Sequence, residues 1–189
     1  ERVVRYAYET ARKRDRQKKL LLVDKANAIR AQDIWTRTFA EVGEEFPDIE
    51  QDHAYVDAAC MWMIKNPESF DTVVTTNLFG DIITDLGAVL QGGMGVAASG
   101  NINPGQVSLF EPIHGSAPKY KGQNVSCPIA AIAAVYMMLH GLGEISSASK
   151  VEHAIEKVLN REDVNSVSAS SGVSTDEWGD RVIEALRQL

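Results

Sequence analysis

Asp81 and Asp85 stand four residues apart in a stretch, Asn77–Leu90, that opens polar and turns helical. That spacing sets both carboxylates on one helix face. Like charges so placed repel unless a cation bridges them, and oxygen-only donors suit a hard ion such as Mg²⁺ or Mn²⁺. The plainer alternative is two solvated acids near a helix N-terminus. Apolar Phe79, Ile82, Ile83 and Leu86 around the pair favour a half-buried site. Lys25 follows the apolar run 20–23 and Asp24. Ligands of α/β proteins gather beyond the carboxyl ends of buried strands. A lysine held there can act as a general acid or base; otherwise it extends its amine into solvent. Asp57, between Val56 and two alanines, lets a ligand approach closely. Residues 111–122 combine Glu111, His114, small residues and Lys119-Tyr120-Lys121. That composition suits an anionic cofactor wrapped by loop backbone. No GxGxxG motif accompanies it, so it is not an ordinary dinucleotide fingerprint, and a lone loop histidine is often structural.

The elements that must hold these residues are legible as periodicity. Val3, Val4, Ala7, Tyr8 and Ala11 recur at helical spacing from the first residues,. Residues 20–23 read as a buried strand, and 32–45 as a helix stopped by Phe46-Pro47-Asp48,. Weak alternation over 49–56 reads as a strand, and 58–65 as a helix ended by Asn66-Pro67,. Thr72–Thr75 is β-branched and reads as a strand,. Residues 92–105 hold five glycines and a proline and suit a hinge or domain crossover,. A brief strand over 107–110 leads into a loop over 111–127, too long for a mere connector. Pro128 fits the first turn of an apolar helix,. Ser146 or Ser149 suits the cap of the next helix, with His153, Glu156 and Lys157 on its polar side, and Ser174-Thr175-Asp176 suits the cap of the last,. Strands alternating with helices predict an α/β fold with a largely parallel sheet.

The chain has 189 residues, 19 basic and 26 acidic side chains and a net charge of −7. That net acidity argues against non-specific nucleic-acid binding. Nine basic and four acidic groups fall in the first 25 residues, which suits a solvated helix face better than a partner-binding patch,. The longest apolar run is the eleven residues from Ile129 to Leu139, well short of the roughly 20 needed to span a bilayer, so no membrane partner is expected. No basic segment followed by an apolar core opens the chain, so no secretory leader is expected. Cys60 and Cys127 lack metal-ligand spacing and read as buried thiols of a reducing compartment, which points to the cytoplasm,. The first residue is Glu1, already inside a helical pattern, and suggests the C-terminal part of a longer protein.

Four segments together carry a resemblance. They are Val23-Asp24-Lys25-Ala26-Asn27, Val56-Asp57-Ala58, Asn77-Leu78-Phe79-Gly80-Asp81-Ile82-Ile83-Thr84-Asp85 and Glu111-Pro112-Ile113-His114-Gly115-Ser116-Ala117-Pro118. The chain resembles, essentially end to end, the β-decarboxylating dehydrogenases of the isocitrate/isopropylmalate dehydrogenase family. Its Asp-Lys-Ala-Asn run is most similar to the isopropylmalate branch, whose place is leucine biosynthesis. The resemblance implies a layered α/β fold with its N-terminal part missing. It implies that residues 1–91 belong to the domain of dimerisation, metal and substrate, and 92–189 to the cofactor-binding domain. It implies metal-dependent oxidation of a 2-hydroxy acid with loss of CO₂ and hydride transfer to NAD or NADP. Asp81 and Asp85 would ligate Mg²⁺ or Mn²⁺ from one subunit of a homodimer. Asp57, a third ligand, and Lys25 would reach in from the other, with Lys25 taking the hydroxyl proton. Asn27 would lie near the nicotinamide. Glu111, His114, Gly115, Ser116, Ala117, Lys119, Tyr120 and Cys127 would line the adenosine half.

The chain also departs from the pattern. Ala28 stands where isopropylmalate enzymes commonly carry a larger aliphatic residue, a loss of about 1–3 kcal/mol for an apolar substrate. Tartrate, malate-type, isocitrate and homoisocitrate substrates therefore stay open. Lys119-Tyr120 replaces the Asp-Ile usual in NAD-dependent members and leans toward NADP, and Cys127 replaces an Asn usual near the adenine. An inactive dimerisation module and a regulatory subunit are the alternatives from other classes. A regulatory subunit is expected to have lost part of the Lys25, Asp57, Asp81 and Asp85 set, and all four are present.

Overall fold

The computed structural model describes all 189 residues, which fall into two compact units, Glu1–Gly87 and Ala88–Leu189. In the first, α1 (Arg2–Arg14) leads to β1 (Lys19–Asp24), α2 (Asp33–Gly43), β2 (Glu50–Tyr55), α3 (Val56–Lys65), β3 (Thr72–Thr75) and the start of α4 (Asn77–Leu90). The three strands form a parallel sheet in the order β2-β1-β3. The central strand is apolar from Leu20 to Val23 because both its faces are covered,. Leu20 and Leu22 pack against Val4, Tyr8 and Ala11 of α1 and Phe39 and Val42 of α2. Leu21 and Val23 point the other way, against Ala59 of α3 and Ile83 of α4. Tyr8 is fully buried, stacks on Phe39 and Phe46, and donates its hydroxyl to the Phe39 carbonyl at 3.1 Å. Burial pushes its phenol up to about 12,.

α1 ends where Asp15 turns left-handed (φ 48°), a conformation aspartate tolerates better than bulkier residues. Most of the opening basic groups are paired: Arg5 with Glu45, Arg12 with Asp48, Arg14 with Asp71, Lys18 with Asp15 and Lys19 with Asp52. The structure corrects the expectation that the N-terminal part of the fold is missing in one respect. The chain's own N-terminal residues are present and folded, with α1 burying Val4, Ala7, Tyr8 and Ala11 in the core.

The second unit holds β4 (Ala98–Asn101), β5 (Leu109–Pro112), α5 (Ile129–Gly141), α6 (Ile145–Leu159) and α7 (Thr175–Arg187). Its core is built on Ile129, Ala154, Val158, Trp178, Val182 and Ala185. Three local expectations shift here. β4 and β5 form a separate antiparallel pair, so parallel pairing belongs to the first unit. The Gly-rich stretch 92–105, expected as a hinge or domain crossover, also contains β4. Ser146 and Ser149 lie inside α6, whose N-cap is Glu144. Ser174 does cap α7, accepting from the Glu177 amide at 3.1 Å. No helix is long and apolar enough to cross a membrane.

Candidate active site

Because all three strands of the first sheet run parallel, their carboxyl ends share one edge. In register, Asp24 stands beside Tyr55 and Val23 beside Thr75. The chain leaving each strand there carries a functional candidate: Lys25 after β1, Asp57 at the start of α3 after β2, and Asp81 on α4 after β3. This is the edge where parallel sheets bind ligands.

Lys25 and Asp57 meet. Lys25 Nζ donates to Asp57 Oδ1 at 2.5 Å and lies 5.9 Å from the centroid of the Tyr55 ring. The ammonium holds the Asp57 carboxyl below its ordinary range,. The Lys25 backbone is pinned too. Its amide donates to Gln32 Oε1 at 2.6 Å, and its carbonyl accepts from Ala28 and Ile29, both at 2.9 Å. Asn27 is exposed in this turn.

Asp81 and Asp85 are both exposed on α4, on one face of successive turns,. Ile83 is buried against β1 while Ile82 is exposed, so the pair sits on an open face and not in the half-buried setting that its apolar neighbours suggest. No group of three or more His, Cys, Asp or Glu side chains within the chain is close enough to hold a metal ion. Asp81 and Asp85 fit a hard cation as a partial donor set: two anionic oxygen ligands one turn apart, with coordination left for substrate, water and further carboxylates.

Sequence reasoning passes over Asp24 and His53. Asp24 is fully buried, its Oδ1 lies 3.1 Å from His53 Nε2 and accepts from the Ala26 amide at 3.0 Å, and its Oδ2 has no partner. His53 in turn meets the Tyr55 ring edge-on. A charged residue closing an otherwise apolar strand was the available signal.

In the second unit the candidate cofactor residues lie on β5 and the loop after it. Glu111 is exposed on β5. His114 Nδ1 is 2.9 Å from the Gly115 carbonyl, and Gly115 and Ser116 are exposed. Ala117 adopts a left-handed conformation (φ 42°) and opens a short 3₁₀ turn, Pro118–Tyr120, in which Lys119 Nζ lies 4.7 Å from the Tyr120 ring centroid. Cys127 stands apart from them. It is buried in the core, where a Cβ at Gly95 would come within 3.3 Å of it, and burial raises its thiol pKa.

The family model for isocitrate/isopropylmalate dehydrogenase matches residues 1–182. The chain belongs to that family. The match begins at residue 1, so the expectation is corrected to this extent: the opening residues, folded as α1, lie inside the matched region. The 3-isopropylmalate dehydrogenase of Streptomyces avermitilis is 49% identical over 183 residues, which is 95% of this chain and 51% of that protein. The enzyme of the same name from Frankia casuarinae is 50% identical over 162 residues, 84% of this chain and 47% of that protein. Among solved structures, isocitrate dehydrogenase from Methylococcus capsulatus aligns with a TM-score of 0.90 at 40% identity, over 99% of this chain and 56% of that one. The chain thus spans about half the length of the curated relatives it matches.

Proposed function

We propose that this chain carries the metal, lysine and adenosine-binding parts of an NAD(P)-linked β-decarboxylating dehydrogenase acting on a 2-hydroxy acid of the 3-isopropylmalate type. The observation that carries the reading is the Lys25–Asp57 contact at the carboxyl edge of the parallel sheet. It joins a proton-handling amine to an anionic oxygen at the edge from which the Asp81/Asp85 helix also departs. Residues 1–91 serve metal, substrate and dimerisation, and 92–189 serve the cofactor.

Asp81 and Asp85 supply anionic oxygens to Mg²⁺ or Mn²⁺, with Asp57 of a second copy completing the set. The ion, when bound, supplies positive charge where the substrate's C2 oxygen becomes negative. Lys25, after its ammonium gives a proton to solvent water, would accept the C2 hydroxyl proton as a neutral amine, directly or through water, with Asp57 orienting it. Asn27 lies against the nicotinamide. Residues 114–117 wrap the adenosine, and Lys119 and Tyr120 meet a 2′-phosphate, which favours NADP. The names of the curated relatives support 3-isopropylmalate as substrate. Ala28 supports a second reading, a more polar malate-type or isocitrate substrate, since it lacks the larger aliphatic side chain that would contact an isopropyl group,.

The deciding assay offers the full-length protein 3-isopropylmalate, isocitrate, homoisocitrate and tartrate with each cofactor and Mn²⁺. The highest kcat/KM is expected for 3-isopropylmalate. A clear preference for another acid establishes the second reading. Absence of turnover with all four, in a protein that binds metal, would leave a dimerisation module and sink the enzymatic reading.

A further inference from the structure

From residue 113 to residue 127 the chain has no strand and no α-helix, only the 3₁₀ turn at Pro118–Tyr120. A loop of this length keeps one conformation only if something outside it holds it. The outside support is the first turn of α7. Asn124, in a left-handed conformation (φ 56°), donates from Nδ2 to Asp176 Oδ2 at 3.0 Å and accepts on Oδ1 from the Asp176 amide at 3.3 Å. The Asn124 carbonyl accepts from the Thr175 amide at 3.0 Å, and Thr175 Oγ1 donates to the Ser126 carbonyl at 2.6 Å. Four hydrogen bonds thus tie residues 124 and 126 to residues 175 and 176.

The tie is passed inward by the neighbouring residue. Gln123 Nε2 donates to the Lys119 carbonyl at 2.6 Å, and its amide donates to the Tyr120 carbonyl at 3.0 Å. The Tyr120 amide closes the turn on the Ala117 carbonyl at 2.9 Å. Lys119 and Tyr120 are therefore tied, through Gln123 and Asn124, to Thr175 and Asp176 about fifty residues further along the chain, and the Asp176 carboxylate is the one side-chain acceptor that α7 supplies to the tie. We propose that Asp176, with Asn124, is a positioning residue for the adenosine subsite, fixing Lys119 and Tyr120 where they distinguish a 2′-phosphorylated adenosine from an unphosphorylated one. The inference rests on the reading of residues 111–122 as the adenosine loop. The role assigned to Asp176 is exerted through Asn124.

Asp176→Ala removes the acceptor for Asn124 Nδ2, and also a negative charge from a helix N-terminus. Asp176→Asn removes the same charge but keeps an acceptor oxygen, so the difference between the two isolates the tie. The 189-residue protein and both variants are titrated calorimetrically with adenosine 2′,5′-bisphosphate and with AMP, and amide exchange at Tyr120 and Gln123 is followed by NMR without ligand. Asp176→Ala should bind the bisphosphate about three- to tenfold more weakly, lose most of its preference over AMP, and exchange faster at both amides. Asp176→Asn should recover most of each. Wild-type affinity and exchange in Asp176→Ala, or equal losses in Ala and Asn, would overturn the positioning role. Failure of the wild type to bind either nucleotide is a separate result, which overturns the adenosine reading and this inference with it.

Discussion

Asp57 is held by a cation while Asp81 and Asp85 face solvent without one, and the three carboxylates should answer differently to loss of charge. Asp81→Asn removes one anionic oxygen from a site with few donors of its own. Metal affinity and turnover should fall together, by about tenfold or more. Unchanged metal dependence would remove Asp81 from the site. The proposed adenosine loop offers a second test: under that proposal, Lys119→Asp with Tyr120→Ile would exchange a charge-assisted phosphate contact for repulsion. A protein that prefers NADP should shift its kcat/KM toward NAD about tenfold to a hundredfold. A wild type that prefers NAD, or no shift in the double variant, would show that the loop does not set the choice. At this scale the sequence exposes residues whose partners are local or whose chemistry is unusual, such as a lysine directly after a buried strand. It hides Asp24 with His53 and Asn124 with Asp176, because each pair meets only once strands are in register or a loop has folded onto a distant helix.

Elements were legible where one physical signal ruled. The ends of α4 and β3 follow from a polar start, helical periodicity and a β-branched run. The start of α6 was not, since two serines suggested a cap inside what is helix. Gly143, in a left-handed conformation (φ 84°), turns the chain so tightly after α5 that α6 begins at Ile145, and the tertiary connection outweighs the capping preference. The same logic assigns weight to α1, which covers one face of the central strand mainly through Tyr8. Tyr8→Ala should destabilise the first unit by about 3–5 kcal/mol, the range for removing a buried aromatic ring. Tyr8→Phe keeps the ring and loses only the bond to the Phe39 carbonyl, about 1 kcal/mol. Urea unfolding followed by Trp35 fluorescence separates these, and equal losses would mean that α1 is held by its hydroxyl contact and not by its ring.

Over the whole molecule, charge is distributed so that acid should attack one unit first. Arg5, Arg12, Lys19 and Lys25 hold Glu45, Asp48, Asp52 and Asp57 below the ordinary carboxylate range in the first unit, while the second has Asp163, lowered by Arg161. A carboxylate whose pKa is depressed by folding stabilises the fold fully above its unfolded pKa, near 4, and loses that contribution as pH falls through the folded value. Each exposed pair contributes little alone. Together they predict that between pH 5 and pH 2, as order-of-magnitude limits, the signal of Trp35 falls before that of Trp178. Coincident transitions would show that these pairs do not govern acid stability.

A larger question is whether one copy suffices. Met61, Trp62 and Ile64 of α3 and Leu78 and Ile82 of α4 are large apolar residues at least half exposed in the isolated chain. Such surface favours association, and Asp57 lies at the start of the same α3 while Asp81 lies on the same α4. If one copy supplies Lys25 and Asp57 while the other supplies Asp81 and Asp85, each variant is defective in a different half of a shared site. Lys25→Ala leaves its metal pair intact, and Asp81→Asn leaves its lysine intact. Homodimers of either should be about tenfold or more less active than the unsubstituted protein. After exchange, half of the molecules from an equal mixture are hybrids, and each hybrid contains one site with both defects and one with neither. About a quarter of all sites are then intact, so activity should return to roughly that fraction, as expected for a two-fold assembly built from one repeated surface. No rise above the homodimers' activity in a mixture whose subunit exchange has been verified by mass would place all four residues in the site of a single copy.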